Sequence, residues 1–160
     1  MQYLILIIGL VFADQLCKYL IKSGMVLYET IPLIENVFHI TYIQNYGAAF
    51  SILQGKQVFL ICISVAALGG AAFYLWIKRK QAHPVLLTGI ALLISGGAGN
   101  LIDRIAYGYV IDFLDFRIWP IFNIADICVC CGCGLILLYV FFFESGRRNS
   151  CKKAPVKDAK

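Results

Sequence analysis

The sequence predicts an all-α membrane protein with four transmembrane helices, a small extracytoplasmic β element and an amphipathic helix along the membrane interface. Of its 160 residues, 61% are hydrophobic and only 14% are charged, whereas soluble domains are nearer half apolar and a quarter charged. Because a spanning helix needs about 20 apolar residues, the length allows about four spans. We expect one membrane-embedded domain over residues 1–144, followed by a basic cytoplasmic tail, residues 145–160, of a composition typical of disorder.

Four apolar stretches supply the predicted spans. They run over about residues 3–21, 58–77, 85–102 and 123–143. The first is not interpreted as a secretory signal peptide, because it has no basic start and Asp14 and Lys18 interrupt its apolar run. The second contains no charged side chain, and Pro84 precedes the third, where a proline suits the start of a helix.

Two polar connections separate these spans and are expected to form the β element. In the first, residues 22–57, the segment 37–42 is β-prone, and residues 47–53 are weakly amphipathic, as in a helix that lies along the interface. In the second, the alternation over residues 109–113 indicates a short strand. His39 is isolated from other candidate ligands, which favours a surface histidine over a metal ligand.

The distribution of basic residues predicts the orientation in the membrane. Nine Lys and Arg lie at 78–80 and in the tail, against four in or beside the two other connections. An excess of Lys and Arg marks the cytoplasmic side. Both termini should therefore be cytoplasmic, and the two polar connections should lie at the outer face. The net charge of +5 does not form a stripe with aromatic residues, so nucleic-acid binding is not indicated.

Four aspartates lie between the third and fourth spans or at their ends. They are Asp103, Asp112, Asp115 and Asp126. Charge between membrane-spanning segments is expensive to keep, so a functional site is expected there. Two aspartates held close together share a proton and can act as general acid and general base. The alternative is that these acids only cap helices and pair with Arg104 and Arg117.

Other catalytic or metal chemistries have little support in the sequence. The two histidines are distant from each other, and there is neither an H-E-x-x-H nor a G-x-S-x-G motif. A serine–lysine pair is conceivable, but nothing fixes its geometry. Six of the seven cysteines lie in apolar segments. Those within residues 128–133 would point in several directions around a helix, which favours a role in packing over a metal cluster.

Two sets of polar residues within the spans can bond to one another. Asp14 and Lys18 are four residues apart, so they share a helical face and can form an ion pair. This pair either only allows two charges to lie in the membrane or takes a direct part in the site. Asn100, Asp103 and Arg104 likewise share one face near the end of the third span.

Five short motifs occur in order along the chain. They are Asp14-Gln15-x-x-Lys18, Asn45-x-Gly47-Ala48-Ala49-Phe50, Gly99-Asn100-x-x-Asp103-Arg104, Val110-Ile111-Asp112-Phe113 and Phe122-Asn123-Ile124-Ala125-Asp126. In this order and between four spans, they resemble the motifs of the bacterial lipoprotein signal peptidases, also called signal peptidase II. The resemblance extends from residue 14 to about residue 140.

The resemblance implies an intramembrane aspartic endopeptidase of the bacterial inner membrane, with its active site near the outer face. It would cut diacylglyceryl-modified prolipoproteins just before the lipidated cysteine of the lipobox. The family pattern makes Asp112 and Asp126 the catalytic pair, and no metal or organic cofactor is needed. The expected partners are the prolipoprotein substrates and membrane lipids, and the enzyme is expected to be a monomer.

Seven further residues match positions that line or support the site in this family. They are Asn45, Asn100, Asp103, Arg104, Asn123, Asp14 and Lys18. Asp103 is expected to support Arg104 and the helix end, and Asp115 matches no role. The chain departs from the family at Ile127, where a small hydroxyl residue is usual, and in its short loop between the two aspartates. These departures concern the shape of the loop.

Two other classes of protein remain as alternatives. A small proton-coupled transporter would explain Asp14 and Lys18, but it predicts ionisable groups near the midplane of several helices, and the second span has none. A purely structural membrane subunit gives no reason for so many acids and asparagines at one level of the membrane.

Overall fold

Four long helices form the body of the protein. The structure is a computed structural model that describes residues 1–47 and 55–144. Its helices are α1 (Gln2–Gly24), α2 (Gln57–Lys78), α3 (Pro84–Tyr107) and α4 (Ile124–Leu138), and a π-helical segment, Tyr139–Glu144, continues α4. All four are long and apolar enough to cross a membrane, which confirms the four predicted spans. The amphipathic helix predicted at 47–53, apart from Gly47, and the tail from residue 145 lie outside the described residues.

Helix α3 is longer than the sequence predicts. It continues past Ile102 as far as Tyr107, because Asp103 and Arg104 remain helical. It ends at Gly108, whose φ of 78° is the left-handed conformation typical of a helix C-cap. The N–H of Gly108 donates to the carbonyl oxygen of Arg104 at 3.1 Å. The additional turn carries two candidate site residues towards the strands.

Helix α4 begins with a capping box. The side-chain oxygen of Asn123 accepts a hydrogen bond from the N–H of Asp126 at 2.9 Å. The carboxylate of Asp126 in turn accepts from the N–H of Asn123 at 3.2 Å. This arrangement provides partners for two N–H groups at the start of the helix. It also fixes the direction of the Asp126 side chain.

Three antiparallel strands form a small sheet beside the helices. They are β1 (Thr30–Ile34), β2 (Phe38–Asn45) and β3 (Val110–Asp115), in that order across the sheet. The strands predicted at 37–42 and 109–113 are present as β2 and β3, but each begins one residue later and ends two or three residues later than predicted. β1 was not predicted as a separate strand, because Pro32 removes a ladder donor and is tolerated only at the edge of a sheet.

The sheet packs against the end of α1. Its buried core consists of Tyr42, Ile111 and Phe113, and Cys17 and Ile21 of α1 lie against this core. The strand that carries Asp112 is therefore anchored to the first helix as well as to β2.

The prediction of a surface position for His39 is wrong. His39 is buried, and it lies opposite Asp115 in the ladder between β2 and β3. Residues 39 and 41 share one face of the strand because side chains alternate, and Thr41 is also buried. The sequence prediction treated the histidine in isolation and so missed this face.

Helices α3 and α4 approach each other closely through glycines. A Cβ atom on Gly96 would meet the carbonyl oxygen of Ala125, and it would lie 3.0 Å from the backbone nitrogen of Val129. A Cβ atom on Gly132 would lie 2.7 Å from the carbonyl oxygen of Gly89. Small residues allow helices in lipid to pack this closely. The short separation brings the start of α4 next to the polar end of α3.

We expect the substitution Gly96→Ala to destabilise the fold by about 1–3 kcal/mol, the usual cost of overpacking, because the atoms it would meet belong to the backbone of α4. Thermal unfolding of the purified protein in detergent micelles measures this change. Gly69→Ala is the matched control. A Cβ atom at Gly69 meets nothing within 4 Å, so alanine there should be neutral or stabilising by up to about 1 kcal/mol. Equal melting temperatures for Gly96→Ala and wild type would contradict the close approach.

Candidate active site

Two of the predicted aspartates lie in one cleft. Asp112 on β3 and Asp126 in the first turn of α4 both line a cavity of about 630 Å³. Asn45, Asn100 and Arg104 line the same cavity. Asp112 is only 2% exposed, and it lies near enough to Asp126 for their negative charges to repel each other. The fold therefore brings together carboxylates that are separated along the chain.

Asp112 is held by two asparagine side chains. Nδ2 of Asn123 donates to Oδ1 of Asp112 at 2.6 Å, and Nδ2 of Asn45 donates to Oδ2 at 3.0 Å. Asn45 is the last residue of β2, and Asn123 is the N-cap of α4. The orientation of the carboxylate thus depends on both a strand and a helix start.

Asp126 is also held by amide groups. Nδ2 of Asn100 on α3 donates to Oδ1 of Asp126 at 2.8 Å, and the capping box supplies the N–H on Oδ2. Since Asn100 reaches across from α3, the close packing of the two helices is required for this contact.

The side-chain oxygen of each of the three asparagines already accepts a hydrogen bond. For Asn45 the donor is the N–H of Gly47 at 3.0 Å. For Asn100 the donors are Nζ of Lys18 at 3.0 Å and Nδ2 of Asn123 at 3.1 Å. For Asn123 it is the capping-box N–H at 2.9 Å. A side-chain amide that accepts at its oxygen has its nitrogen directed the other way. All three nitrogens consequently point at the two carboxylates.

Burial changes the acidity of Asp112. Burial first, and then the nearby negative charge of Asp126, raise the pKa of Asp112 from its ordinary value of 3.8 to about 7. The hydrogen bonds from Asn45 and Asn123 favour the ionised form and act in the opposite direction. Near neutral pH, both protonation states of Asp112 are therefore populated.

A buried ion cluster lies behind the cleft. Nζ of Lys18 is 2.9 Å from Oδ2 of Asp14 and 2.9 Å from Oδ2 of Asp103. The predicted pair of Asp14 and Lys18 is thus confirmed, and Asp103 joins it. Gln15 also belongs to the cluster, since its Nε2 donates to Oδ1 of Asp103 at 3.0 Å. The sequence analysis missed Gln15, although it stands within a quoted motif between two charged residues.

We expected Asp103 to hold Arg104 in place, but the two side chains form hydrogen bonds with different partners. The Asp103 carboxylate bonds to Lys18, to Gln15 and to the N–H of Ile111 at 3.1 Å. The guanidinium of Arg104 donates instead to the carbonyl oxygens of Gly47 and Asn100, at 3.1 and 3.5 Å. Successive residues of an α-helix point about 100° apart, so Asp103 faces α1 while Arg104 faces the cleft.

Asp115 lies at the other end of β3 and contacts a cation. Its Oδ2 accepts from the hydroxyl of Thr41 at 2.8 Å and lies 3.3 Å from Nη1 of Arg117. The alternative in which the acids only cap helices and pair with arginines therefore describes Asp115. It does not describe Asp112, whose carboxylate accepts hydrogen bonds from the side chains of Asn45 and Asn123.

The remaining wall of the cleft is apolar. The loop before α4 contributes most of it, and α4 and Val110 of β3 supply the rest. The residues of the loop and of α4 are Phe116, Ile118, Trp119, Pro120, Ile121, Phe122, Ile127, Val129, Cys130 and Cys131. The packing role predicted for the cysteines within residues 128–133 fits only Cys128, which is buried, whereas Cys130, Cys131 and Cys133 are exposed. Within the described residues, no three His, Cys, Asp or Glu side chains are grouped closely enough to hold a metal ion.

The sequence matches the model of a protein family described as signal peptidase (SPase) II over residues 6–142. The chain belongs to the signal peptidase II family. It is therefore a hydrolase that removes signal peptides from prolipoproteins during lipoprotein maturation, and a multi-pass bacterial membrane protein. This membership decides against the transporter and the structural subunit.

Individual relatives show the same family along most of their length. The lipoprotein signal peptidase of Halothermothrix orenii is 45% identical over 141 residues, which span 88% of this chain and 95% of the relative. That of Clostridioides difficile is 45% identical over 150 residues, 92% of this chain and 100% of the relative. A solved structure described as a bacterial membrane enzyme, determined by the in meso method at 2.3 Å resolution, superposes with a TM-score of 0.83. It is 32% identical and covers 99% of this chain and 94% of its own.

The raised pKa of Asp112 predicts a pH-dependent contribution to stability. A carboxyl group whose pKa is higher in the folded state stabilises the fold fully below its unfolded pKa, near 3.8, and this contribution is lost as the pH rises through about 7. Asp112→Asn does not titrate. The melting temperature of wild type minus that of Asp112→Asn should therefore decrease between pH 4 and pH 8.

Asp115→Asn is the control for this prediction. Burial opposes the effect, but the hydrogen bonds from Thr41 and Arg117 lower the pKa of Asp115 below its ordinary value. The contribution of Asp115 is consequently present above about pH 4 and is lost only as the pH falls below it. The melting temperature of wild type minus that of Asp115→Asn should therefore stay nearly constant between pH 4 and pH 8. A flat difference for Asp112→Asn over this range would contradict the raised pKa.

Proposed function

We propose that the enzyme is an aspartic endopeptidase with Asp112 and Asp126 as its catalytic pair. Its substrates would be diacylglyceryl-modified prolipoproteins, cut just before the lipidated cysteine of the lipobox. The observation that carries the proposal is that these two carboxylates line one cleft and are held by amide donors. Asp14, Asp103 and Asp115 each contact a cation instead.

The two aspartates would divide the roles of acid and base. Because the pKa of Asp112 is raised to about 7, Asp112 supplies the protonated carboxyl group, which donates to the oxygen of the scissile carbonyl. Asp126 in its ionised form takes a proton from water as the water oxygen attacks the carbonyl carbon. When the tetrahedral intermediate collapses, the C–N bond breaks and the proton held by Asp126 passes to the leaving amine. A hydroxyl group of the intermediate returns a proton to Asp112 as the product carbonyl forms, so both carboxyl groups regain their starting states.

Arg104 would bind the substrate backbone. Two of its nitrogens are fixed by the carbonyl oxygens of Gly47 and Asn100, so the guanidinium has a defined position in the cleft. Its Nε is buried and has no hydrogen-bond partner among the described residues. A buried donor without a partner is costly, and a substrate carbonyl oxygen would satisfy it.

The shape of the cleft suits a substrate that lies in the membrane. One side carries the two carboxylates and their asparagines, and the other side is the apolar wall formed by the 116–122 loop and α4. A signal peptide is apolar and can diffuse laterally within the bilayer. The apolar wall would contact this segment and the attached lipid, while the polar side meets the scissile bond.

The placement in the membrane follows from the distribution of charge. Both termini would be cytoplasmic, since most Lys and Arg lie at 78–80 and beyond residue 145. The cleft would then open near the outer face, at the surface of the bacterial inner membrane. Residues 1–144 would act as one peptidase domain, and the enzyme as a monomer, since among the described residues a single chain supplies both carboxylates and amide donors to each of them.

The proposed catalytic pair can be tested by substitution of each aspartate. Asp112→Asn and Asp126→Asn should each lower kcat by at least about 100-fold, because general acid–base catalysis contributes about 10²–10⁴-fold. The measurement is cleavage of a lipidated prolipoprotein by the purified variants, with thermal unfolding followed in parallel.

Asp115→Asn is the matched control, since it changes an aspartate of the same strand outside the cleft, and it should cleave like wild type. If folded Asp112→Asn or Asp126→Asn still cleaved at the wild-type rate, the proposed pair would be wrong.

A second prediction concerns orientation. An alkaline phosphatase, active only outside the cytoplasm, should be inactive when fused after Lys160, because the C-terminus is cytoplasmic. The same reporter fused after Ile118, in the outer connection, should be active. The reverse pattern would place the cleft at the cytoplasmic face.

A further inference from the structure

The buried ammonium group of Lys18 has three partners. Asp14 and Asp103 each place a carboxylate oxygen at 2.9 Å from Nζ, and the side-chain oxygen of Asn100 lies at 3.0 Å. Lys18 and Asp14 are 1% exposed, and Asp103 is 0% exposed. An ammonium group has three N–H donors, so the three contacts use its full capacity. The cluster joins α1 to α3 at the level of the cleft.

The two carboxylates of this cluster also bind the backbone next to the proposed catalytic pair. Oδ1 of Asp14 accepts from the N–H of Ala125 at 2.9 Å. Oδ2 of Asp103 accepts from the N–H of Ile111 at 3.1 Å. Ala125 directly precedes Asp126, and Ile111 directly precedes Asp112. Each aspartate of the cleft is therefore attached, one residue upstream, to the same ion cluster.

We propose that Asp14 and Asp103, joined through Lys18, are positioning residues that set the distance between the carboxylates of Asp112 and Asp126. This inference rests on the proposed function, since it assigns a task to groups that do not themselves touch the substrate. The ammonium group of Lys18 holds the carboxylates of Asp14 and Asp103 together. Each of these carboxylates also accepts a hydrogen bond from the backbone N–H of the residue that precedes Asp126 or Asp112.

The physical basis is the stiffness of buried charge-assisted hydrogen bonds. They are shorter and stronger than neutral ones, and breaking a buried ion pair leaves an uncompensated charge. The N–H of Ala125 lies in the first turn of α4, where helical N–H groups lack an intrahelical partner, so Asp14 supplies what the helix cannot. Gln15 reinforces the arrangement, since its Nε2 contacts Asp14 at 3.3 Å and Asp103 at 3.0 Å.

The third contact of Lys18 leads to the cleft by a separate route. By donating to the oxygen of Asn100, the ammonium directs the amide nitrogen of Asn100 towards Oδ1 of Asp126, 2.8 Å away. Nζ of Lys18 is thus linked to Asp126 by two routes. One runs through Asp14 to the backbone N–H of Ala125, and the other runs through Asn100 to the side chain of Asp126.

Asp14 and Asp103 differ in how their carboxylate oxygens share the hydrogen bonds, and this difference provides a test. Asp14 binds Ala125 through Oδ1 and Lys18 through Oδ2. Asp103 binds both Ile111 and Lys18 through Oδ2. An asparagine has one oxygen acceptor. Asp103→Asn can therefore keep both bonds if its oxygen takes the place of Oδ2. Its amide nitrogen then faces Nε2 of Gln15, so either the contact with Gln15 is lost or the Gln15 amide turns over and gives up its hydrogen bond to the carbonyl oxygen of Gly99. Asp14→Asn must give its oxygen to Lys18 and lose the N–H of Ala125.

The experiment compares these two variants, because each removes one negative charge and leaves Lys18 paired with one carboxylate. Asp14→Asn should lower kcat by about 100-fold with KM unchanged, the effect expected of a misplacement of about 1 Å. Asp103→Asn should stay within about 10-fold of wild type, since its bonds to Lys18 and to the N–H of Ile111 persist and only its contact with Gln15 changes. Cleavage of a lipidated prolipoprotein is measured per folded enzyme, with thermal unfolding in parallel.

Asp103→Ala supplies a second comparison that does not depend on the folding of Asp14→Asn. It has the same charge as Asp103→Asn but no acceptor for the N–H of Ile111, so its kcat should be about 100-fold lower than that of Asp103→Asn, with the same KM. Equal kcat values in this pair, or equal losses in Asp14→Asn and Asp103→Asn, overturn the positioning role. So does a loss confined to KM or to the melting temperature.

The failure of this inference is distinct from a failure of the proposed function. If Asp112→Asn and Asp126→Asn are inactive but the paired variants do not differ, only the positioning role is wrong. If Asp112→Asn or Asp126→Asn cleaves normally, the catalytic assignment itself fails, and the positioning role fails with it.

Discussion

The charge of Lys18, which is 1% exposed among apolar helices, is stable only because the ammonium group has charged and polar partners. Removing an ion from water costs several kcal/mol even after the protein relaxes, and only paired charges and further hydrogen bonds compensate for this. Lys18 meets the requirement with partners on α1 and α3, and Asp14 and Asp103 extend the bonds to α4 and β3. The position of four elements is therefore tied to one nitrogen atom. Any displacement of these elements would leave a buried charge without a partner.

The glycines of α3 and α4 allow the close helix packing on which these hydrogen bonds depend. Hydrogen bonds between side chains are short, so Asn100 can hold Asp126 only if the two helices lie close together. Gly96 and Gly132 remove the side chains that would separate them. The polar cluster and the small residues are thus interdependent. Close packing makes the hydrogen bonds possible, and the hydrogen bonds select one register of α3 against α4.

Much of the fold followed from local sequence, and two of the errors had a common origin. Apolar length gave the four spans, and β-prone alternation gave β2 and β3. The burial of His39 against β3 and the partners of Asp103 were missed because a segment far along the chain sets the environment of each residue, and no local pattern contains it. The edge strand β1 was missed although it pairs with the neighbouring strand β2. The resemblance to the signal peptidase II family came from five motifs in order, each weak by itself, and the match over residues 6–142 confirmed it.

The sequence by itself determined that this is a four-span membrane protein with its acids and asparagines gathered at the helix ends, because apolar length and charge placement are local properties. The motifs of the sequence also distinguished Asp112 and Asp126 from the other aspartates as candidate catalytic residues. Only the tertiary structure decided that Asp112 and Asp126 face the same cleft, that three asparagine amides are turned towards them, and that Asp103 faces Lys18 rather than Arg104. The reason is geometric. A hydrogen bond depends on the relative position of two elements to within a few tenths of an ångström, and that position is fixed by packing between α1, α3, α4 and the sheet.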